Sequence, residues 1–192
     1  MSEDIVVRQC APTLAGLKTG SLFPCPYESK QTLMKDVRKL NQILVPKGLC
    51  LLPLHLAEKR ALLYLYRPRE LERDLTDQMA AEVLRKAGYP PLNSERCVVR
   101  LIQRLAEEKE FPHEIGLFLS YPPEDVKGFI ENKASNSKCV GTWKVYGDVD
   151  RAKALFAQFK RCTDIYCKLW QAGSSLEALA VAVRSKFHAE RT

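Results

Sequence analysis

The chain has no Cys-x-x-Cys pair, although it contains seven cysteines, at positions 10, 25, 50, 97, 139, 162 and 167. Without tight cysteine pairs a structural zinc site is not expected. His-Glu-x-x-His is missing, which excludes a zincin, and so are Gly-x-Gly-x-x-Gly and Gly-x-Ser-x-Gly. No apolar run approaches the roughly 20 residues of a membrane helix. Met1-Ser2-Glu3-Asp4-Ile5 offers no positive stretch followed by an apolar one, so we expect no secretory leader. Together these absences lead us to expect a cytoplasmic chain with free thiols in a reducing compartment.

What is present reads as one globular domain. The 192 residues are 46% hydrophobic and 28% charged, which excludes a disordered or low-complexity chain. The formal charge is +7, concentrated in one part: from Lys133 onward there are eleven basic and five acidic residues. A basic C-terminal third can meet nucleic acid or an anionic ligand. Acidic residues are interspersed and no Lys/Arg block occurs, so a solvated basic face is the plainer reading.

Turn and cap signals divide the chain. Residues 1–28 read as a loop-rich N-terminal segment with a short helical turn. Ser29 is positioned to cap a helix burying Leu33, Val37, Leu40 and Leu44, ended by Pro46-Lys47-Gly48. Residues 49–56 and 60–66 read as strands, the first at a sheet edge because of Pro53. One helix is expected over 69–87 and another from Ser94 to about Lys109. Residues 115–121 and 139–146 read as further strands, joined by a helix starting at Pro122-Pro123 and ending near Asn132, in a parallel right-handed βαβ unit. The basic C-terminal region, 147–192, reads as helices over about 150–171 and from a Ser174/Glu177 capping box to about His188. The expected fold is α/β (or α+β): a small mixed sheet of about four strands covered by five to six helices. Tyr66, Tyr121 and Tyr146 each end an expected strand, which would place them along one sheet edge as candidate ligand contacts.

The stretch Phe111-Pro-His-Glu-Ile-Gly-Leu-Phe-Leu-Ser-Tyr-Pro-Pro-Glu-Asp-Val-Lys-Gly-Phe-Ile-Glu-Asn132 resembles the bacterial family DUF3793, found mainly in anaerobic Firmicutes such as clostridia. Pro112-His113-Glu114 matches that family's Pro-His-Glu motif. Its Leu-Gly-Tyr motif stands here as Leu119-Ser120-Tyr121, with the glycine replaced. The segments beginning at Cys10 and Cys139 are also similar to the family. The resemblance covers nearly the whole chain and implies an anaerobic bacterial cytosol, without naming an activity.

Several residues carry chemistry. His113 and Glu114 can serve as acid, base or ligands. In the βαβ reading His113 and Cys139 lie at the same end of neighbouring strands, where Cys10 can join them as a soft-metal site or an activated thiolate. Buried cysteine as a small hydrophobe is the simpler alternative. Gly16-Leu17-Lys18-Thr19-Gly20 lacks the Gly-Lys-Ser/Thr of a phosphate loop, yet Lys18 can hold an anion. The leading expectation is a protein binding a metal, a redox cofactor or a small anionic ligand through His113, Glu114 and Cys10, with Cys139, or through the tyrosine edge, the cofactor itself being unidentified. Three alternatives stand beside it. One is a small enzyme with His113 as general base, oriented by Glu114, or Cys10 as nucleophile. Another is a nucleic-acid-associated protein using Lys144, Lys160, Arg161 and Lys168. The third is a partner protein docking through its C-terminal helices.

Overall fold

A computed structural model describes residues 1–91, 93–107 and 111–182. Its centre is a three-stranded antiparallel sheet in the order β1 (Gly20–Pro26), β3 (Arg60–Tyr66), β2 (Cys50–Ala57). The run Ala61-Leu-Leu-Tyr-Leu-Tyr66 lies in the middle strand, covered on both faces. The prolines fall on the outer strands, Pro24 and Pro26 in β1 and Pro53 in β2, where a missing N–H breaks no inner ladder.

Alternation along β3 sorts its side chains between two layers. Ala61, Leu63 and Leu65 bury into one core with α1 (Glu3–Leu14), α2 (Lys30–Leu44), and Cys162 and Tyr166 of α8 (Val149–Gln171). Leu176 and Leu179 of the short α9 (Leu176–Leu179) join that core. Tyr64 and Tyr66 face the other core, built from α3 (Pro68–Leu75), α4 (Gln78–Lys86), α5 (Ser94–Glu107), α6 (Ile115–Phe118) and α7 (Pro123–Glu131). A small hairpin, β4 (Cys139–Val140) with β5 (Lys144–Val145), packs Trp143 and Val145 against Ala152 and Phe159 of α8. Among the described residues no helix is long and apolar enough to cross a membrane.

The mixed α/β content, the β2–β3 hairpin and the Ser29 cap agree with the sequence reading. Ser29 Oγ accepts the Thr32 N–H, and Gly48 closes the following turn at φ +76°. The parallel βαβ unit does not form. Residues 115–118 are the buried helix α6, because an unbroken apolar run suits a covered helix as well as a covered strand. Residues 139–146 fold back on themselves as the β4–β5 hairpin, and the strands of both sheets pair antiparallel.

Residues 1–28 are not mainly loop, since they form α1 and β1. Pro12 sits in the last turn of α1, where it gives no N–H to the Arg8 carbonyl, and the helix ends two residues later. The expected helix 69–87 is two helices, because Asp77 accepts the Met79 and Ala80 N–H groups and starts α4 afresh. Ser175, rather than Ser174, caps α9, which ends at Leu179. The expected continuation to His188 lies outside the described residues beyond 182.

One side chain ties these pieces together. Arg67, between β3 and α3, is fully buried. Its Nε donates to the Thr13 carbonyl (2.8 Å), and its Nη2 donates to the carbonyls of Leu14 and Val181 (2.8 Å each). The guanidinium thus meets the negative end of α1 and the segment after α9. Its backbone N–H holds the Thr19 carbonyl at 2.9 Å, just before β1. Burial lowers the Arg67 pKa, and Glu70 opposes that shift. Replacing Arg67 with Met strands three carbonyls, so we expect a loss of about 3 kcal/mol or more in urea unfolding. A loss below about 1 kcal/mol would show that the junction is held by something else.

Candidate functional site

The α1–β1 loop is shaped by its ends. Gly16 turns the chain at φ +76°, and the N–H groups of Leu17 and Lys18 return to the Pro12 carbonyl at 2.9 and 3.2 Å. Thr19 is then held three times. Its carbonyl takes the Arg67 N–H, its N–H donates to Ser120 Oγ (2.6 Å), and its hydroxyl donates to Asp74. At Gly20 an added Cβ would fall 2.4 Å from the Phe118 carbonyl and 2.5 Å from the Tyr64 ring. The absent side chain therefore lets β1 lie directly on α6.

These constraints leave Lys18 in a cleft of about 500 Å³, large enough for a small metabolite. Its walls are the α1–β1 loop, α3 and the start of α4 with Glu70, Arg73, Asp74 and Asp77, Ser120 and Tyr121 after α6, and Arg151 and Phe159 of α8. Lys18 Nζ lies 5.5 Å from the Tyr121 ring centroid and 5.9 Å from that of Phe159, within the range of cation–π attraction. Burial lowers its pKa to about 8, with the buried Cys10 as a smaller opposing influence.

Two of the three acids lining the cleft are already engaged. Asp74 accepts from Thr19 and Arg73, and Asp77 caps α4. Glu70 stands near enough to Arg67 to favour its charge. Among the described residues Lys18 has neither a carboxylate nor a hydrogen-bond partner.

The other expected site residues are dispersed. Cys10 is 0% exposed in the α1 core, and burial pushes its thiol pKa far up. Burial there opposes the thiolate form that a nucleophile needs. Glu114 is buried, 2.9 Å from Arg104 Nε, and accepts from Tyr89 Oη at 2.8 Å. His113 turns instead to the edge of Phe129, with ring centroids 4.8 Å apart. The adjacent pair therefore enters two different environments, and Glu114 does not orient His113.

Cys139 is half-buried in the hairpin rather than on a strand beside His113. Among the described residues no three His, Cys, Asp or Glu side chains are grouped to hold a metal, so the His113/Cys10/Cys139 set is not assembled. The tyrosines do not share a sheet edge either, because two of the three expected strands do not join the sheet. Tyr66 stacks on Tyr64 in β3, Tyr121 stacks on Trp143 (4.7 Å), and Tyr146 covers Gly128. Of the three, Tyr121 lines the Lys18 cleft. Lys144 donates to the Ala134 carbonyl, while Lys160, Arg161 and Lys168 are exposed on α8.

Sequence reasoning missed Arg67, Arg73, Asp74 and Arg151, which sit in ordinary charged stretches with no periodic signal. It also missed Asp125, whose buried carboxylate accepts from Trp143 Nε1 and from the N–H groups of Tyr146 and Gly147, all at 2.7 Å. That carboxylate sets the hairpin that carries Trp143 onto Tyr121. Ser120 did leave a signal. It stands where the resembling motif has glycine, and its φ is +58°, a left-handed conformation that disfavours a side chain.

Ser120→Ala keeps that strain and leaves the buried Thr19 N–H without its acceptor, at a cost of about 1–3 kcal/mol. Ser120→Gly loses the same acceptor but relieves about 1 kcal/mol of left-handed strain. Chemical unfolding should therefore rank wild type above Ser120→Gly, and Ser120→Gly above Ser120→Ala. Equal losses in the two variants would refute the strain argument.

Comparison with known proteins agrees with the resemblance read from the motifs. The searches of curated proteins and of solved structures found no match. The family model described as "Protein of unknown function (DUF3793)" matches residues 6–180, and the chain belongs to that family.

Proposed function

We propose that this protein binds a small anionic ligand in the cleft around Lys18. The carrying observation is charge without a partner. Lys18 is held on a fixed loop, faces two aromatic rings and among the described residues has no carboxylate of its own, whereas Asp74 and Asp77 beside it are satisfied by Thr19, Arg73 and the start of α4. Arg73 and Arg151 line the same cleft, paired with Asp74 (2.8 Å) and Glu124 (3.9 Å) in solvent-exposed contacts. An anion would restore to the half-buried ammonium the counter-charge that the fold withholds. The reading keeps Lys18 and Tyr121 from the sequence analysis. It does not use the His113, Glu114 and Cys10 constellation, which the fold separates.

Binding should depend on pH with a definite sign. In the free protein Lys18 carries its charge below about 8, and a bound anion favours that charged form. Affinity is therefore full below this value and falls as pH rises through it, with proton uptake on binding. Beside the carboxylates of Glu70, Asp74 and Asp77 and the guanidinium groups of Arg73 and Arg151, the cleft packs the Cys10 thiol and the Tyr121 hydroxyl, both pushed upward by burial, away from this window.

Calorimetric titration with inorganic sulfate, an anion that does not itself titrate here, measures the effect. We expect saturable binding to the wild type and at least a tenfold weaker affinity in Lys18→Met. Affinity should decline by up to about tenfold per pH unit above pH 8. Equal affinity in wild type and variant would defeat the proposal.

A further inference from the structure

The anion reading leaves the amine itself unexplained, since a surface lysine would serve as a charge with less desolvation. An amine that is fixed, half-buried, unpaired and open to a cleft has the setting in which lysine acts as a nucleophile toward carbonyl groups. We propose that Lys18 forms an imine with a small aldehyde or ketone that also carries a negatively charged group, a role that rests on the anion reading and gives its ligand a chemical class.

Three features carry this. First, the loop is rigid: Thr19 is bonded through its carbonyl, its N–H and its hydroxyl, so the preceding residue is aimed rather than free. Second, Lys18 is half-buried between the Tyr121 and Phe159 rings, and the desolvation outweighs the attraction of the rings for the cation and favours the uncharged amine. Third, the cleft also holds the Ser120 hydroxyl, which accepts from Thr19 and keeps its own proton for a carbonyl oxygen, and Arg151, whose 3.9 Å pair with Glu124 is solvent-exposed and can be exchanged for the anionic end of the ligand.

The step balances without a further reagent. The neutral Nζ adds to the carbonyl carbon, forming a C–N bond as the C=O π pair moves to oxygen. Transfer of a proton from nitrogen to oxygen gives the carbinolamine. Departure of that oxygen as water, with its second proton, leaves the C=N bond. One amine and one carbonyl become one imine and one water.

The lowered pKa adds a rate advantage. With its pKa at about 8, roughly a quarter of Lys18 is uncharged at pH 7.5, against roughly one in a thousand for an ordinary lysine.

The test uses the full chain and pyridoxal 5′-phosphate as an aldehyde with an anionic group. Protein and probe are mixed at pH 7.5, reduced with borohydride at timed intervals, and mapped by peptide mass spectrometry. We expect the adduct at Lys18 to form at least tenfold faster than at any other lysine, to slow in the presence of sulfate, and to vanish in Lys18→Arg, which keeps the charge but forms no imine. Labelling of Lys18 no faster than of exposed lysines would overturn the proposal, and this result needs no variant to fold. Sulfate binding without selective labelling would overturn the imine and leave the anion site standing. Selective labelling that sulfate neither slows nor competes with would support the amine chemistry and remove the anion site.

Discussion

A buried guanidinium with carbonyls in place of a carboxylate is the constraint on which the rest of this structure depends. Arg67 is 0% exposed, and its charge is distributed over the carbonyls of Thr13, Leu14 and Val181. A cation in that position would be costly if those oxygens were elsewhere. The end of α1, the end of β3 and the segment after α9 are therefore fixed relative to one another. The Arg67 N–H extends the same junction to Thr19, and Ser120 completes it from the other core. Lys18 is next in the chain, so its placement over Tyr121 and Phe159 follows from a contact it does not itself make.

The parts of this fold legible in the sequence are those governed by local chemistry. Ser29 caps a helix because its hydroxyl reaches an N–H three residues on, and Pro53 marks an edge because it has no N–H to give. The failures come from segments whose neighbours decide. Ile115–Phe118 is apolar on every side and folds as helix under the cover of α7 and the sheet, where the same run can also make a strand. Leu71, Leu75, Val83 and Ala87 keep one helical period across two helices, so the break at Asp77 shows in its capping chemistry and not in the pattern. Pro24 and Pro26 fall in the segment read as loop-rich, yet an edge strand accepts them.

The site was legible one residue at a time. Lys18 stood out in a glycine-flanked loop and Tyr121 at the end of an apolar run, but 102 positions separate them in the sequence. Their meeting is decided by the Gly20 contact with α6 and by the Ser120 bond to Thr19. Ser120 carried a physical hint, because a motif glycine there fits the left-handed backbone the structure shows. His113 and Glu114 gave the opposite lesson. Adjacency in the chain suggested partnership, and the start of α6 sends one to Phe129 and the other to Tyr89 and Arg104.

The central claim is that the fold holds Lys18 as a partly desolvated amine without a counter-ion among the described residues. The most direct measurement is the titration of its ε-methylene by carbon-detected nuclear magnetic resonance, assigned by comparison with Lys18→Arg. The account predicts a midpoint near pH 8, with proton shifts displaced upfield by the Tyr121 and Phe159 rings. A midpoint among the exposed lysines near 10.4, without ring-current displacement, would contradict it.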